Sequence, residues 1–393
     1  LARLEADRVC WVGDGPGAVP PSRAGHLLGQ GFDAVVLDLH DGLDPDVLGR
    51  THGLVWGGGA LVLRMPPTGA PPPARASLAL HPFSVDDVGH RMWERLEAAL
   101  EGWPVGPPAP LPASARAAAA TRDQDAAVAA LLTLWRGARP TCVAVLADRG
   151  RGKSAALGRA LGACSGRRAR VISPDPGSAM EVARFAGPVG GRDLLASPAE
   201  ALALAGQLDL VVVDEAARLP VPALQRIVGA HPAADLAFAT TTHGYEGTGR
   251  GFALRLLPWL EAVGRPAARL SLCAPIRWGE ADPVEALVRR LLLLDATDPP
   301  PRGAPVGPPP TPAISRLRPA DLATDEALLR ASFGLLVAAH YRTTPGDLER
   351  VLDAPNLRVN AVRDGDTVAA VNLLAAEGGL SPDQSAAYAA GRG

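Results

Sequence analysis

Two hydrophobic periodicities alternate along the chain. Runs of strand length such as TCVAVLA (141–147) and LVVV (Leu210–Val213) are almost wholly apolar and rich in β-branched residues, without the polar alternation of a sheet that faces water. They predict parallel strands buried on both faces. Between them, stretches with apolar residues three and four apart, such as SAALGRALGA (154–163), predict helices that cover those faces. Further strands are predicted at RVCWVG (8–13), DAVVLDL (33–39), ALVLRM (60–65), ARVISP (169–174), DLAFATTT (235–242), RLSLCAP (269–275) and AISRL (313–317). Helical patterns over 321–341 and 344–354 then lead into LRVNAVR (357–363) and TVAAVNLLAA (367–376), which flank Asp364 and Gly365 and predict a hairpin.

Proline divides this pattern. PVGPPAPLPAS (104–114) and PPPRGAPVGPPPTP (299–312) can be neither helix nor central strand and read as semi-rigid linkers. PPTGAPPP (66–73) reads as a long surface loop. Three units follow: a Rossmann-like α/β domain over 1–103, a doubly wound parallel sheet over 115–298, and the start of an α+β domain over 313–393.

A hydrophobic content of 47% with 20% charged residues excludes disorder throughout. The formal net charge of −2 argues against a uniformly basic nucleic-acid protein, so any nucleic-acid contact must come from a patch or from a segment beyond this stretch. Cys10, Cys142, Cys164 and Cys273 form no C-x-x-C, which points away from a disulfide framework or zinc site and fits a reducing cytoplasm. No apolar stretch approaches the ~18 residues of a membrane span. Leu1 stands where an initiating Met would be, so the numbering is expected to begin inside a longer protein.

The strongest chemical signal lies where one strand meets a helix. ADRGRGKS (147–154) joins TCVAVLA to SAALGRALGA. A strand, a tight Gly-containing turn and a helix starting at Lys153 would aim backbone N–H groups and the helix dipole at a polyphosphate. Asp148, Arg149, Gly150, Arg151, Gly152, Lys153, Ser154 and Ala155 form the predicted cradle; Lys153 would reach the β- and γ-phosphates and Ser154 would ligate Mg²⁺. The pattern G-x-x-x-x-G-K-[ST] has glycine where this chain has Ala147. About sixty residues later, LDLVVVDEAARLP (208–220) carries an apolar run straight into Asp214 and Glu215. Two acids thus leave a buried strand at its carboxyl end, where open α/β sheets bind ligands. Asp214 would hold Mg²⁺, usually through water, and Glu215 would polarise the water attacking the γ-phosphate. A plain Gly turn and a helix-terminal acidic pair would explain either string alone; both in this order favour a nucleoside-triphosphate site.

Other residues have two readings each. Gln124, in TRDQDAAVAALL (121–132), could pair with adenine or could cap a surface helix with Thr121. Thr240 to Thr242 end a strand before HGYEGTGRG and would suit sensing of the γ-phosphate, while the Gly-rich run could be only a loop carrying Arg250. Arg277 could supply positive charge to the transition state or pair with Glu280 or Asp282 on the surface. GDGPG (13–17) fails the dinucleotide spacing, and Pro16 and Pro20 interrupt the helix that should follow, so a plain turn is preferred. His40 and Asp41 read equally as a catalytic pair or as the start of a polar loop.

ADRGRGKSAALG, VVVDEAARLP, TTTHGYEGTGRGF and APIRWGEADPVE resemble, in order, the ATPase module of the bacterial tRNA(Met) cytidine acetyltransferase family. The likeness extends to GGGALVLRMP (57–66) and EGGL (377–380) and so spans nearly the whole chain. It implies an N-terminal α/β domain, a RecA-like (RecD-like) P-loop module hydrolysing ATP or GTP with Mg²⁺, a GNAT acetyltransferase domain and a C-terminal RNA-binding tail. It implies acetyl-CoA as donor and the exocyclic amine of the wobble cytidine of elongator tRNA(Met) as acceptor. Carried over, Gln124, residues 150–154 and Arg277 would contact the nucleotide, with Asp214 and Glu215 serving Mg²⁺ and hydrolysis.

One departure bears on activity. A GNAT domain grips the CoA pyrophosphate with an [RQ]-x-x-G-x-[GA] loop, and none occurs in the last segment before Gly393. The chain is therefore expected to hold only the opening half of that domain, to bind ATP without acetylating RNA, and to leave Leu373 and Leu374 exposed or disordered at a sheet edge. Two rivals stand beside this reading. A RecD-like helicase needs a second RecA-like domain, for which the roughly 80 residues after Pro312 are too few. A nucleotide-gated binding module would switch conformation with little turnover.

Overall fold

The computed structural model describes residues 8–27, 30–67, 69–104, 121–164, 166–174, 176–187, 194–241, 252–296, 313–339, 343–365 and 367–391. Strands β1 (Val9–Val12), β2 (Phe32–Asp38) and β3 (Val55–Arg64) form a parallel sheet in that order, with helices α1 (Pro45–Thr51) and α2 (Arg91–Ala99). Asp44 starts α1 by accepting the Asp46 and Val47 amides, and Pro45 pre-sets the first turn. GDGPG is a turn: the Gly13 amide donates to the Val19 carbonyl, and only a 3-10 helix, Pro21–Leu27, follows.

The middle of the chain runs α3 (Arg122–Trp135), β4 (Cys142–Ala147), α4 (Lys153–Gly162), β5 (Ala169–Ile172), α5 (Pro176–Ala186), β6 (Leu195–Ala196), α6 (Pro198–Ala203) and β7 (Leu210–Val213). It continues through α7 (Val221–Ala230), β8 (Asp235–Thr241), α8 (Leu257–Ala262), β9 (Ala267–Leu272) and α9 (Pro283–Leu291). Its six strands are all parallel, in the order β6-β5-β7-β8-β4-β9. Side chains of a strand point alternately to opposite faces, and each continuous apolar run accordingly feeds two cores. Val143, Val145, Leu210, Val212, Ala237 and Ala239 join the core containing α3 and α4. Cys142, Ala144, Val211, Val213, Leu236 and Phe238 join the one containing α7 and α8.

The last segment contains β10 (Ala313–Leu317), α10 (Pro319–Thr324), α11 (Glu326–Ala339), α12 (Pro345–Asp353), β11 (Leu357–Asp364), β12 (Thr367–Ala375) and α13 (Pro382–Ala389). Its sheet is antiparallel in the order β10-β11-β12. The helical pattern over 321–341 breaks at Asp325, whose extended backbone ends α10 and whose carboxylate accepts the Leu328 amide to start the next helix. Of the two residues expected at the bare edge, Leu374 is exposed, whereas Leu373 packs against the core. No helix among the described residues is long and apolar enough to cross a membrane.

The first segment packs against the last. One apolar core joins Val35, Leu37 and Leu48 of the first, Val288 and Leu291 of α9, and Leu348, Val351 and Val359 of the last. Polar groups lock the same interface. Asp353, at the end of α12, caps α2 from outside by accepting the Arg91 and Met92 amides at 2.7 and 2.9 Å. Asp46 accepts the Gly346 amide at 3.0 Å. Arg75 donates to both Asp44 and Glu349.

Burial, opposed by Arg75 and reinforced by the charges of Asp44 and Asp353, pushes the Glu349 carboxyl up to about 8. The folded protein therefore favours its neutral form. The stability this residue contributes is full below the ordinary carboxyl range and is lost as pH rises through about 8. Glu349→Gln should flatten the fall of the melting temperature between about pH 5 and pH 8, read by thermal unfolding across that window. An unchanged slope would mean that Glu349 is ionised in the folded protein.

Candidate nucleotide-binding site

The two predicted halves of the site meet. Strand β4 ends at Ala147, the chain turns through two glycines in the left-handed region (Gly150 φ 74°, Gly152 φ 77°), and α4 starts at Lys153. Helix geometry leaves the first amides of α4 without intrahelical acceptors, facing outward from its positive end. Ala147 stands inside the strand, with extended backbone, so the glycine of the usual pattern has no conformational task there. Lys153 is buried and folds back over the loop, donating to Thr241 Oγ1 at 3.1 Å and to the Ala147 and Asp148 carbonyls at 3.4 Å. Of the strand-end threonines, Thr241 is thus the one that meets Lys153; Thr240 is buried, and Thr242 and the run through Arg250 lie outside the described residues.

Ser154 Oγ donates to Asp214 Oδ2 at 2.7 Å, closing a gap of 60 residues. Asp214 is wholly buried at the end of β7. Burial first, then the adjacent Glu215 charge, pushes its carboxyl well above the usual range, against hydrogen bonds from Ser154 and the Glu215 amide and the charge of Lys153. Glu215 follows in the left-handed region at φ 48°, a conformation that costs a non-glycine residue energy and concentrates at functional sites.

Helices α3 and α9 clamp the loop from outside. Gln124 forms a capping box with Thr121, and its Nε2 donates to the Gly152 carbonyl at 3.2 Å. It is therefore both a cap and a contact of the loop. A Cβ on Gly152 would lie 2.0 Å from that nitrogen, so Gly152 is required by packing as well as by its φ. Beside it, Asp123 accepts the Cys273 and Ala274 amides at 2.6 and 2.9 Å and ties α3 to the end of β9. Desolvation acts on Asp123, but hydrogen bonds from Thr121 and from the Ala274, Cys273 and Gln124 amides outweigh it and hold the carboxyl low.

From the other side, Glu285 accepts from Arg151 Nη2 at 2.7 Å and from Trp278 Nε1 at 2.9 Å, while Arg289 donates to Asp148 at 2.7 Å. The Ile276 amide donates to the Gly150 carbonyl at 2.9 Å, and the Trp278 ring occupies the space where a Gly150 Cβ would stand. Sequence reasoning passed over Glu285, Trp278 and Arg289. Their signal was an i, i+4 acid–base pair after an aromatic, which reads as surface decoration until the helix is seen against the loop.

The N-terminal domain touches the same loop. Arg149 lies beside Gly53 and His52; burial, then the Arg149 charge, lowers the buried His52 imidazole to about 4. Arg277 donates to the Gln30 and Gly53 carbonyls at 3.1 and 2.8 Å and lies 5.7 Å from the Trp56 ring centroid. These contacts hold it against the N-terminal domain. Ala155 is buried within α4. His40 stands apart at the end of β2, its Nδ1 2.5 Å from Asp38.

Comparisons with known proteins place the chain in a family. Residues 2–104 match the family described as tRNA(Met) cytidine acetyltransferase TmcA, N-terminal, and residues 194–295 match RNA cytidine acetyltransferase NAT10/TcmA, helicase domain. Proteins named tRNA(Met) cytidine acetyltransferase TmcA align over most of the chain: 38% identical in Nitrosococcus halophilus, over 97% of this chain and 57% of that protein. The corresponding values are 42%, 94% and 55% in Haloarcula marismortui, and 41%, 93% and 56% in Haloferax volcanii. The chain thus spans a little over half the length of these curated relatives. Bacteroides Pif1 bound to ssDNA overlays 45% of this chain and 47% of its own at 14% identity and a TM-score of 0.30, too loosely to bear on fold or function. With two domain matches and relatives aligned almost end to end with this stretch, the chain belongs to the TmcA and NAT10 family, whose members are named RNA cytidine acetyltransferases.

Proposed function

We propose that this site binds and hydrolyses ATP or GTP with Mg²⁺. We propose also that the intact protein uses it while acetylating the exocyclic amine of the wobble cytidine of elongator tRNA(Met) from acetyl-CoA. The contact between Ser154 and Asp214 carries the nucleotide reading, because it joins the predicted phosphate loop to the predicted acidic strand end at hydrogen-bond distance. Family membership and the names of the relatives support the acetyl transfer.

The residues suit each task. The amides of the loop and of the first turn of α4 would bind the phosphates, and Lys153 would exchange Thr241 and two carbonyls for phosphate oxygens. Ser154 and Asp214 are hard oxygen donors facing one another. They fit Mg²⁺, which takes few protein ligands and keeps several waters; when bound, the ion would neutralise charge on the phosphates. Glu215 would orient and deprotonate the attacking water. Gln124 would turn to the base only on releasing the Thr121 amide and the Gly152 carbonyl, and Arg277 would serve the phosphates after leaving its carbonyl partners on the N-terminal domain.

Glu215→Gln should lower kcat for hydrolysis by at least ~100-fold while nucleotide binding persists; an unchanged rate would remove Glu215 as the base. Lys153→Ala should abolish the hydrolysis stimulated by elongator tRNA(Met), with an unrelated tRNA as comparison. Turnover too slow to measure, with binding intact, would favour a nucleotide-gated module.

Gly152→Ala should weaken nucleotide binding by ~10-fold or more, since the added methyl displaces Gln124 and strains the turn. Equilibrium titration with a non-hydrolysable analogue tests this, and wild-type affinity would show that the loop tolerates the shift.

A further inference from the structure

We propose that α9 is a strut coupling the phosphate loop to the last segment, with Glu285 as the positioning residue at one end and Arg95 at the other; the inference rests on the nucleotide reading above. Helix α9 has nine residues, about 13 Å at the usual rise. Its apolar residues Leu287, Val288 and Leu291 are buried, the last two in the core shared by the first and last segments. Its polar residues Glu285 and Arg289, one turn apart, reach two side chains of the phosphate loop, Arg151 and Asp148. A change in loop shape on binding phosphate therefore pulls directly on this helix.

The far end of α9 is held by another segment. Arg95 of α2 donates to the Arg290 and Leu291 carbonyls, both at 2.8 Å, satisfying acceptors that a helix end leaves open. The same guanidinium grips Glu326, the first residue of α11, through two hydrogen bonds of 2.5 and 3.0 Å. One planar side chain thus joins the end of α9 to the start of α11. Arg330, one turn along α11, reaches back to Asp295 just beyond α9 at 2.9 Å.

An independent observation marks this end as constrained. Leu294 N–H bonds to the Arg289 carbonyl, and Leu293 takes φ 51°. That arrangement normally uses glycine at the left-handed position. A buried leucine persists there because surrounding contacts over-determine the backbone. A groove of about 610 Å³ beside it, lined by Arg95, Arg290, Glu326 and Arg330 among others, leaves these side chains room to exchange partners.

The test is hydrogen exchange of 283–296 and 326–339 with and without a non-hydrolysable ATP analogue. Binding is measured in parallel by calorimetry, on wild type, Glu285→Gln, Glu326→Gln and Arg95→Lys. In wild type the analogue should change exchange in both helices. Glu285→Gln should weaken binding about fivefold and, at saturation, silence α11. Glu326→Gln, which alters a half-exposed side chain and leaves Arg95 on the α9 carbonyls, should keep the α9 response and lose that of α11. Arg95→Lys retains the charge but not the planar fork, so the conservative change should not restore coupling. Wild-type binding with a silent α11, or an α11 response intact in every variant, would overturn the strut while leaving the nucleotide site standing. No binding by wild type would overturn both.

Discussion

Burial of β4 and β7 on both faces is the constraint on which the site depends. A strand packed on two sides cannot carry a polar residue within its length without leaving it unsatisfied. Polar chemistry is therefore expelled to the strand ends, and in a parallel sheet every carboxyl end lies on the same edge. Ala147 and Val213 both end strands there, so Lys153, Ser154 and Asp214 converge although 60 residues separate the last two. Asp214 is tolerated in full burial because Ser154 and the Glu215 amide donate to it and Lys153 stands near.

What the sequence showed clearly was what local pattern determines. The continuous apolar strands, the glycines that take positive φ at 150 and 152, and the acids ending β7 all stand where the spacing put them. Two elements escaped. Strand β6 is two residues long and has no period to detect, and α13, Pro382–Ala389, buries none of its residues and so presents no apolar stripe. The break at Asp325 depends on one side chain capping its own downstream turn, which outweighs a helical pattern continuing on either side.

The clamp around the loop was illegible for a different reason. Glu285, Trp278 and Arg289 follow β9 in sequence and meet the loop only because α9 turns back across it. No single-sequence period encodes that return. The same holds for Asp353 capping α2 across 261 and 262 residues: as a sequence feature it is one more acid at a helix C-terminus, an unfavourable place for it by the dipole. Only the facing N-terminus of a second helix makes the position sensible.

Such long-range contacts also join segments that the proline stretches separate in sequence. Linkers divide a chain into folding units when few contacts cross them, yet here the first segment and the last share an apolar core, helix caps and the Arg95–Glu326 ion pair, with α9 of the middle segment inserted between them. The unit that carries the loop from Asp148 to Gly152 is therefore continuous, through α9, with the unit that carries β10 to β12. An arrangement of three independent domains would let the proposed nucleotide chemistry proceed without mechanical consequence elsewhere. In the packing observed, any displacement of Glu285 and Arg289 must be absorbed within a close-packed core, and such cores resist gradual deformation. The polar junction at Arg95, where partners can be exchanged without opening an apolar cavity, is where that displacement meets least resistance.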